Sequence, residues 1–165
     1  MLILVMGVSG SGKTIIGSKL AHALNFAFAD ADSFHPPENI KKMSLGIPLT
    51  DEDRRPWLEA IRKAFCDWQA AGKRAVVACS ALKEQYRECL TQDCGVRIVY
   101  LKGDFDLIHG RLASRQGHFM KPEMLASQFA DLEEPANAIV VDVSGTPDEI
   151  VAAIRDRLLF NDHDG

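Results

Sequence analysis

No stretch of this sequence approaches the roughly 18 consecutive apolar residues that a membrane-spanning helix needs. The Leu2–Met6 run next to the N-terminus ends in a glycine loop, too short for a signal core, so no leader is expected. Lys and Arg form no block, and the net charge is −4 with a pI near 5.7. That balance argues against nucleic acid or an anionic membrane as partner. Cysteine is scarce: Cys66, Cys79, Cys89 and Cys94 contain no CxxC pair and are too few for a disulfide scaffold. They read as reduced thiols acting as small buried hydrophobes in a cytoplasmic protein. There is no internal repeat, low-complexity tract or linker, and no NKxD motif of the kind that reads guanine.

What remains is an ordinary folding chain. Its 165 residues are 47% hydrophobic and 25% charged, which is too apolar for disorder and the right length for a single domain spanning residues 1–165. Apolar runs alternate with helical periodicity throughout. Strands are expected at Leu2–Met6, Phe26–Ala29, Ala75–Cys79, Val96–Leu101 and Ala138–Val143. Helices are expected at Thr14–Leu24, Asp51–Ala71, Leu82–Leu90, Asp104–Arg115, Glu123–Leu132 and from Pro147 to about Leu159. Thr50 is the expected N-cap of the long helix and Gly72 its stop. Its Trp57, Phe65 and Trp68, with Met43 before it, are expected in the core. Near-continuous apolar strands separated by helices predict a three-layer α/β/α domain, with five parallel strands covered on both faces. Ala31–Thr50 and Gln116–Pro122 read as irregular, and the tail Asn161–Gly165 as a frayed end. Irregular segments beyond strand ends are where such folds keep their sites.

Gly7-Val8-Ser9-Gly10-Ser11-Gly12-Lys13-Thr14 matches GxxxxGK[ST] in full, directly after a buried strand and opening a helix. Glycines let successive N–H groups turn inward onto phosphate oxygens, and the helix N-terminus adds its positive dipole end. Lys13 supplies a mobile point charge for the β/γ-phosphates, and Thr14 a hydroxyl ligand for Mg²⁺. The motif specifies a nucleoside triphosphate, and without a guanine motif ATP is the expected one.

Two acidic positions compete for the chemistry. Asp142 ends the last strand and reads as shaping the base pocket. Asp30 and Asp32 follow the second strand, where alternation along an extended segment would put both on one side. Asp30 suits Mg²⁺. Asp32 is the preferred base for an acceptor hydroxyl, which must lose its proton as its bond to phosphorus forms. Asp30 stands next if Asp32 fails.

Asp32-Ser33-Phe34-His35-Pro36, Asn39-Ile40, Lys42-Met43, Gly46-Ile47-Pro48-Leu49 and Asp53-Arg54 with Pro56-Trp57-Leu58 resemble the gluconate kinase family. So do Cys79-Ser80-Ala81-Leu82-Lys83, Tyr86-Arg87, Gly117-His118-Phe119-Met120-Lys121-Pro122, Ser127-Gln128 and Leu132-Glu133-Glu134-Pro135, a match over roughly residues 3–155. The resemblance implies a P-loop kinase fold like that of the nucleoside monophosphate kinases. It also implies a homodimer, and phosphate transfer from ATP to the 6-hydroxyl of D-gluconate.

A site for a small polyol acid needs a cation or two and several neutral hydrogen-bonding groups. Arg54 is preferred for the carboxylate, since a guanidinium can donate two parallel bonds. Its alternative is an ion pair with Asp51 or Asp53, and Lys42 is the second cation. His35, Ser80, Lys83 and Gln128 are candidate sugar contacts within an acceptor segment of about 31–56 and its surroundings. Arg111 and Arg115 lie one helical turn apart and lead into a candidate lid at about 115–122. Their charge would meet ATP and the transferring phosphoryl group. The rival readings are a kinase for another small acceptor, such as shikimate or a nucleoside monophosphate, and a slow ATP-hydrolysing switch.

Overall fold

Five apolar runs form one parallel sheet in the order β2-β3-β1-β4-β5. The computed structural model describes residues 1–92, 94–114 and 122–161. The strands are β1 (Leu2–Met6), β2 (Ala27–Asp30), β3 (Ala75–Ala78), β4 (Val96–Lys102) and β5 (Ile139–Asp142). The helices are α1 (Lys13–Leu24), α2 (Pro37–Ser44), α3 (Asp51–Ala70), α4 (Glu84–Thr91), α5 (Phe105–Ser114), α6 (Pro122–Asp131) and α7 (Pro147–Asn161). Among the described residues no helix is long and apolar enough to cross a membrane.

β1 is central and wholly buried, with Leu4 level with Val77 of β3 and Ile98 of β4. Strand alternation divides its side chains between two cores. Leu2, Leu4 and Met6 pack with Trp57, Ile61 and Phe65 of α3 and Tyr86 and Leu90 of α4. Ile3 and Val5 pack with Ile16 and Leu20 of α1 and Ile150 and Ile154 of α7. A smaller cluster of Val8, Ile108, Leu112 and Leu125 sits under the loop after β1. After β1 the chain builds β2 and β3 on one side, then β4 and β5 on the other. The strand order therefore reverses beside β1, and open α/β sheets hold their ligands outside the carboxyl ends of the strands at such a reversal.

The two-face covering expected for the sheet holds at its centre and fails at β5. Ile139 and Val141 are buried towards α7, whereas Val140 is 39% exposed. Among the described residues Ile108 and Leu112 of α5 and Leu125 of α6 pack in the small cluster under the loop, and Leu107 of α5 packs against the cluster on the Ile139 and Val141 side.

The larger correction concerns Ala31–Thr50. It holds a 3-10 turn (Ala31–Phe34) and the eight-residue α2 instead of irregular chain. Pro37 opens α2 from the first turn, where its missing N–H costs nothing, and Glu38 favours the helix N-terminus. Met43 of α2 is 43% exposed rather than in the core, while Trp57 and Phe65 are buried as expected. Trp68 is half-buried against the edge of Phe65.

α3 has clear local causes. Thr50 Oγ1 accepts from the Asp53 N–H, and the Asp53 carboxylate accepts from the Thr50 N–H, a reciprocal cap. Leu58, Ile61 and Phe65 then form a buried stripe at helical spacing. Full burial of a side chain such as Phe65 is worth about 1.5–3 kcal/mol. Gly72, at φ +68°, takes the left-handed turn that ends the helix.

Candidate active site

The phosphate loop runs from Gly7 to Gly12, out of β1 and into α1. Two of its glycines are required by space. A Cβ on Gly7 would lie 2.6 Å from Ser11 Oγ, and one on Gly10 would lie 2.6 Å from Leu112 Cγ. Gly12, at φ +96°, is the left-handed N-cap of α1. Lys13 Nζ donates to the Val8 carbonyl at 3.0 Å, so the side chain curls back over the loop. Burial holds the Lys13 ammonium below its ordinary pKa, while the neighbouring Cys79, Asp32 and Asp30 work in the opposite sense. The buried hydroxyl of Ser11, beneath the loop, has no hydrogen-bond partner among the described residues.

Asp30 and Asp32 are not related by the alternation of an extended segment. Asp30 ends β2 and caps the 3-10 turn, its Oδ1 accepting from the Asp32 N–H at 3.0 Å. Its Oδ2 accepts from Thr14 Oγ1 at 2.9 Å. Asp30 is thus committed to the helix-opening threonine, whereas Asp32 is exposed in the turn beyond the carboxyl end of β2. The charge of Asp32 acts on both Lys13 and His35.

The segment after Asp32 is pinned to α3. Trp57 Nε1 donates to the Ala31 carbonyl at 2.7 Å, and the His35 ring stacks on Trp57 with centroids 4.3 Å apart. Asn39, 3% exposed, donates through Nδ2 to the Asp53 carbonyl at 2.7 Å and lies 3.2 Å from His35 Nδ1. The carbonyl can only accept, which fixes the orientation of the amide and makes His35 Nδ1 an acceptor. The ring proton is therefore on Nε2, leaving a neutral donor at the site. Burial lowers the His35 pKa and favours the same neutral form.

The two candidate cations differ. Lys42 Nζ is held by both oxygens of Asp53, at 2.8 and 2.9 Å. Arg54 lies 3.9 Å from Asp51 Oδ1 and donates to Tyr86 Oη at 3.2 Å. Tyr86 in turn donates to Asp51, and Lys83 Nζ is 3.6 Å from the same carboxylate. Arg54 is thus oriented without being neutralised by a close ion pair, and both Arg54 and Lys83 approach the Tyr86 ring.

The Lys42 hydrogen bond, with help from Thr50, holds the Asp53 carboxyl down to about 2. A carboxyl depressed in the folded state adds stability above its unfolded pKa of about 3.9 and loses it as pH falls through the folded value. Asp53→Asn is therefore expected to lower the Tm at neutral pH, and its deficit against the parent should shrink between about pH 4 and pH 2. Thermal melts across that range check this; a constant deficit would assign the effect to lost capping geometry instead.

Ser80 follows β3 and is half-buried. Ala81 after it takes a left-handed φ of +44°, an uncommon conformation for a residue with a Cβ. Arg87, 2% exposed, stabilises that turn by donating to the carbonyls of Ala81 at 2.7 Å, of Leu82 at 3.0 Å and of Glu133. It also pairs with Glu84 at 2.7 Å. Sequence reasoning gave Arg87 no role, because a helical arginine ordinarily reads as surface.

Arg111, on α5, is half-buried, and its charge adds to the lowering of the Asp142 pKa, which is due chiefly to hydrogen bonding from Ser144. Arg115 and the candidate lid to Lys121 lie outside the described residues, as does the tail after Asn161. Gln128, expected at the sugar, is bonded to Ser9 of the phosphate loop, at 2.7 Å to its N–H and 3.0 Å to its hydroxyl.

A sequence model of the shikimate kinase family matches residues 9–159. The thermoresistant gluconokinase of Escherichia coli is 45% identical over 157 residues, covering 92% of this chain and 90% of that one. The gluconokinase of Gluconobacter oxydans is 44% identical over 145 residues, covering 87% and 82%. Among solved structures, a gluconokinase from Sinorhizobium meliloti superposes with a TM-score of 0.83 at 42% identity, covering 96% of this chain and 95% of that one. A shikimate kinase from Aquifex aeolicus covers both chains in full, with a TM-score of 0.62 at 19% identity, and shares the fold alone.

Proposed function

The chain belongs to the gluconokinase family of P-loop kinases, and from that premise we infer that it phosphorylates D-gluconate on its 6-hydroxyl with ATP, giving 6-phospho-D-gluconate and ADP. The observation that carries this reading is a complete phosphate loop whose Thr14 bonds Asp30, next to an acceptor segment pinned to α3 through Ala31 and Trp57, at 45% identity to a gluconokinase across most of the chain.

The loop amides and Lys13 receive the β- and γ-phosphates. Asp32 accepts the proton of the 6-hydroxyl as that oxygen bonds to the γ-phosphorus and the bond to the β-phosphate oxygen breaks, releasing ADP. Arg54 holds the gluconate carboxylate, oriented by Tyr86. His35 Nε2, Ser80 and Lys83 bond hydroxyls of the sugar acid, with Lys42 a weaker contact because Asp53 already holds it. Arg111, and Arg115 from the lid, add positive charge at the phosphates.

Thr14 Oγ1 and the Asp30 carboxylate, 2.9 Å apart, would hold Mg²⁺. Two hard oxygen donors suit an ion that completes its shell with water and phosphate, and no group of three or more His, Cys, Asp or Glu for another metal occurs among the described residues. When bound, the ion neutralises charge on the phosphate oxygens. The reading also takes the protein as a cytoplasmic homodimer, which the family resemblance supports.

Phosphorus NMR of the product, showing a monoester on C6 of gluconate, tests the reaction; ATP hydrolysis without a sugar phosphate would overturn it. Arg54→Ala is expected to weaken gluconate roughly 10- to 150-fold, the scale of one charged hydrogen-bond partner. ATP binding should change little, and the weak binding of neutral glucose should change less than that of gluconate. Equal losses for both sugars would assign Arg54 to the Asp51–Tyr86 network alone.

A further inference from the structure

Gln128 is 119 residues from Ser9 in sequence, yet its side-chain amide makes two bonds to that one residue. The Ser9 N–H can only donate, so the oxygen of the amide must face it and the nitrogen must face the hydroxyl. The contact is therefore specific in orientation as well as in place. It completes a grip on the outer half of the phosphate loop. Leu112 of α5 fills the space against Gly10, and Leu125, one turn before Gln128 on α6, packs in the cluster with Val8.

Such a loop needs fixing. Its glycines leave it costly in entropy to order, and N–H groups stabilise charge on a phosphate well only when they are already aimed. A bond to Ser9 N–H also satisfies a donor that would otherwise compete for water. We infer that Gln128 is a positioning residue for the nucleotide: through Ser9 it preforms the phosphate loop, and it does not contact the sugar.

The inference rests on the kinase reading, and nucleotide binding without acceptor separates the two. Gln128→Ala is expected to lower kcat/KM for ATP roughly 5- to 50-fold, the scale of two lost neutral hydrogen bonds, with KM for gluconate changed less than about two-fold. The Kd of a fluorescent ATP analogue, measured without gluconate, should rise in parallel even if gluconate proves not to be the acceptor. Ser9→Ala, which removes only the hydroxyl bond, should give a smaller loss of the same kind, and adding Gln128→Ala to it should cost less than Gln128→Ala alone. If Gln128→Ala does not fold, Ser9→Ala carries the test through the same ATP-against-gluconate comparison. A rise in KM for gluconate with unchanged analogue binding would overturn the inference, as would equal losses for both substrates.

Discussion

Lys13→Ala folds like the parent protein and loses at least about 10²–10³-fold in turnover, the scale of removing one preorganised charge-stabilising donor. The fold survives because Lys13 belongs to neither large core cluster and bonds the Val8 carbonyl within its own loop. The loss is large because Lys13 is the one loop residue that brings a full charge to the phosphates, and its partial burial strengthens that charge relative to one in water. Circular dichroism and thermal melting establish folding, and a steady-state assay reads turnover. A folded variant with unchanged turnover would remove phosphoryl transfer at this loop from the account.

Asp32→Asn is expected to lose about 10²–10⁴-fold in kcat, the range of a positioned general base, while ATP still binds. The structure sharpens the reason for choosing Asp32 over Asp30. Asp30 spends one oxygen on Thr14 and the other on the N–H that starts the 3-10 turn. Its removal should therefore disturb the metal ligands and the turn together, raising KM for ATP as well as lowering kcat. Asp32 is exposed in the turn beyond β2, so its amide variant should lower kcat with KM for ATP nearly unchanged. Near-normal turnover in Asp32→Asn would shift the role of base to Asp30.

The strands, the phosphate loop and α3 were legible because each announces itself locally, by a continuous apolar run, a glycine pattern at fixed spacing, or a cap followed by a stripe. α2 was hidden by its shortness and by Pro36-Pro37, which reads as a loop when it in fact starts a helix. The relation of Asp30 to Asp32 was misread because one side-chain bond turns the chain after β2 into a 3-10 turn. Residue type alone placed Lys42 and Arg54 together as cations. Only the structure shows that Asp53 holds Lys42 while Tyr86 orients Arg54. Arg87 and Gln128 were illegible for a different reason. Their partners, Glu133 and Ser9, lie 46 and 119 residues away, and no local pattern reports a bond across such separations.

The central claim is that this chain carries phosphate from ATP to gluconate. A coupled ADP-release assay tests it most directly, run with D-gluconate, shikimate, nucleoside monophosphates, neutral sugars and no acceptor under the same conditions. Rapid ADP release that depends on D-gluconate is expected, with the other acceptors near the acceptor-free rate. Rapid release with shikimate or a nucleoside monophosphate and not with gluconate, or a slow rate indifferent to every acceptor, would contradict it.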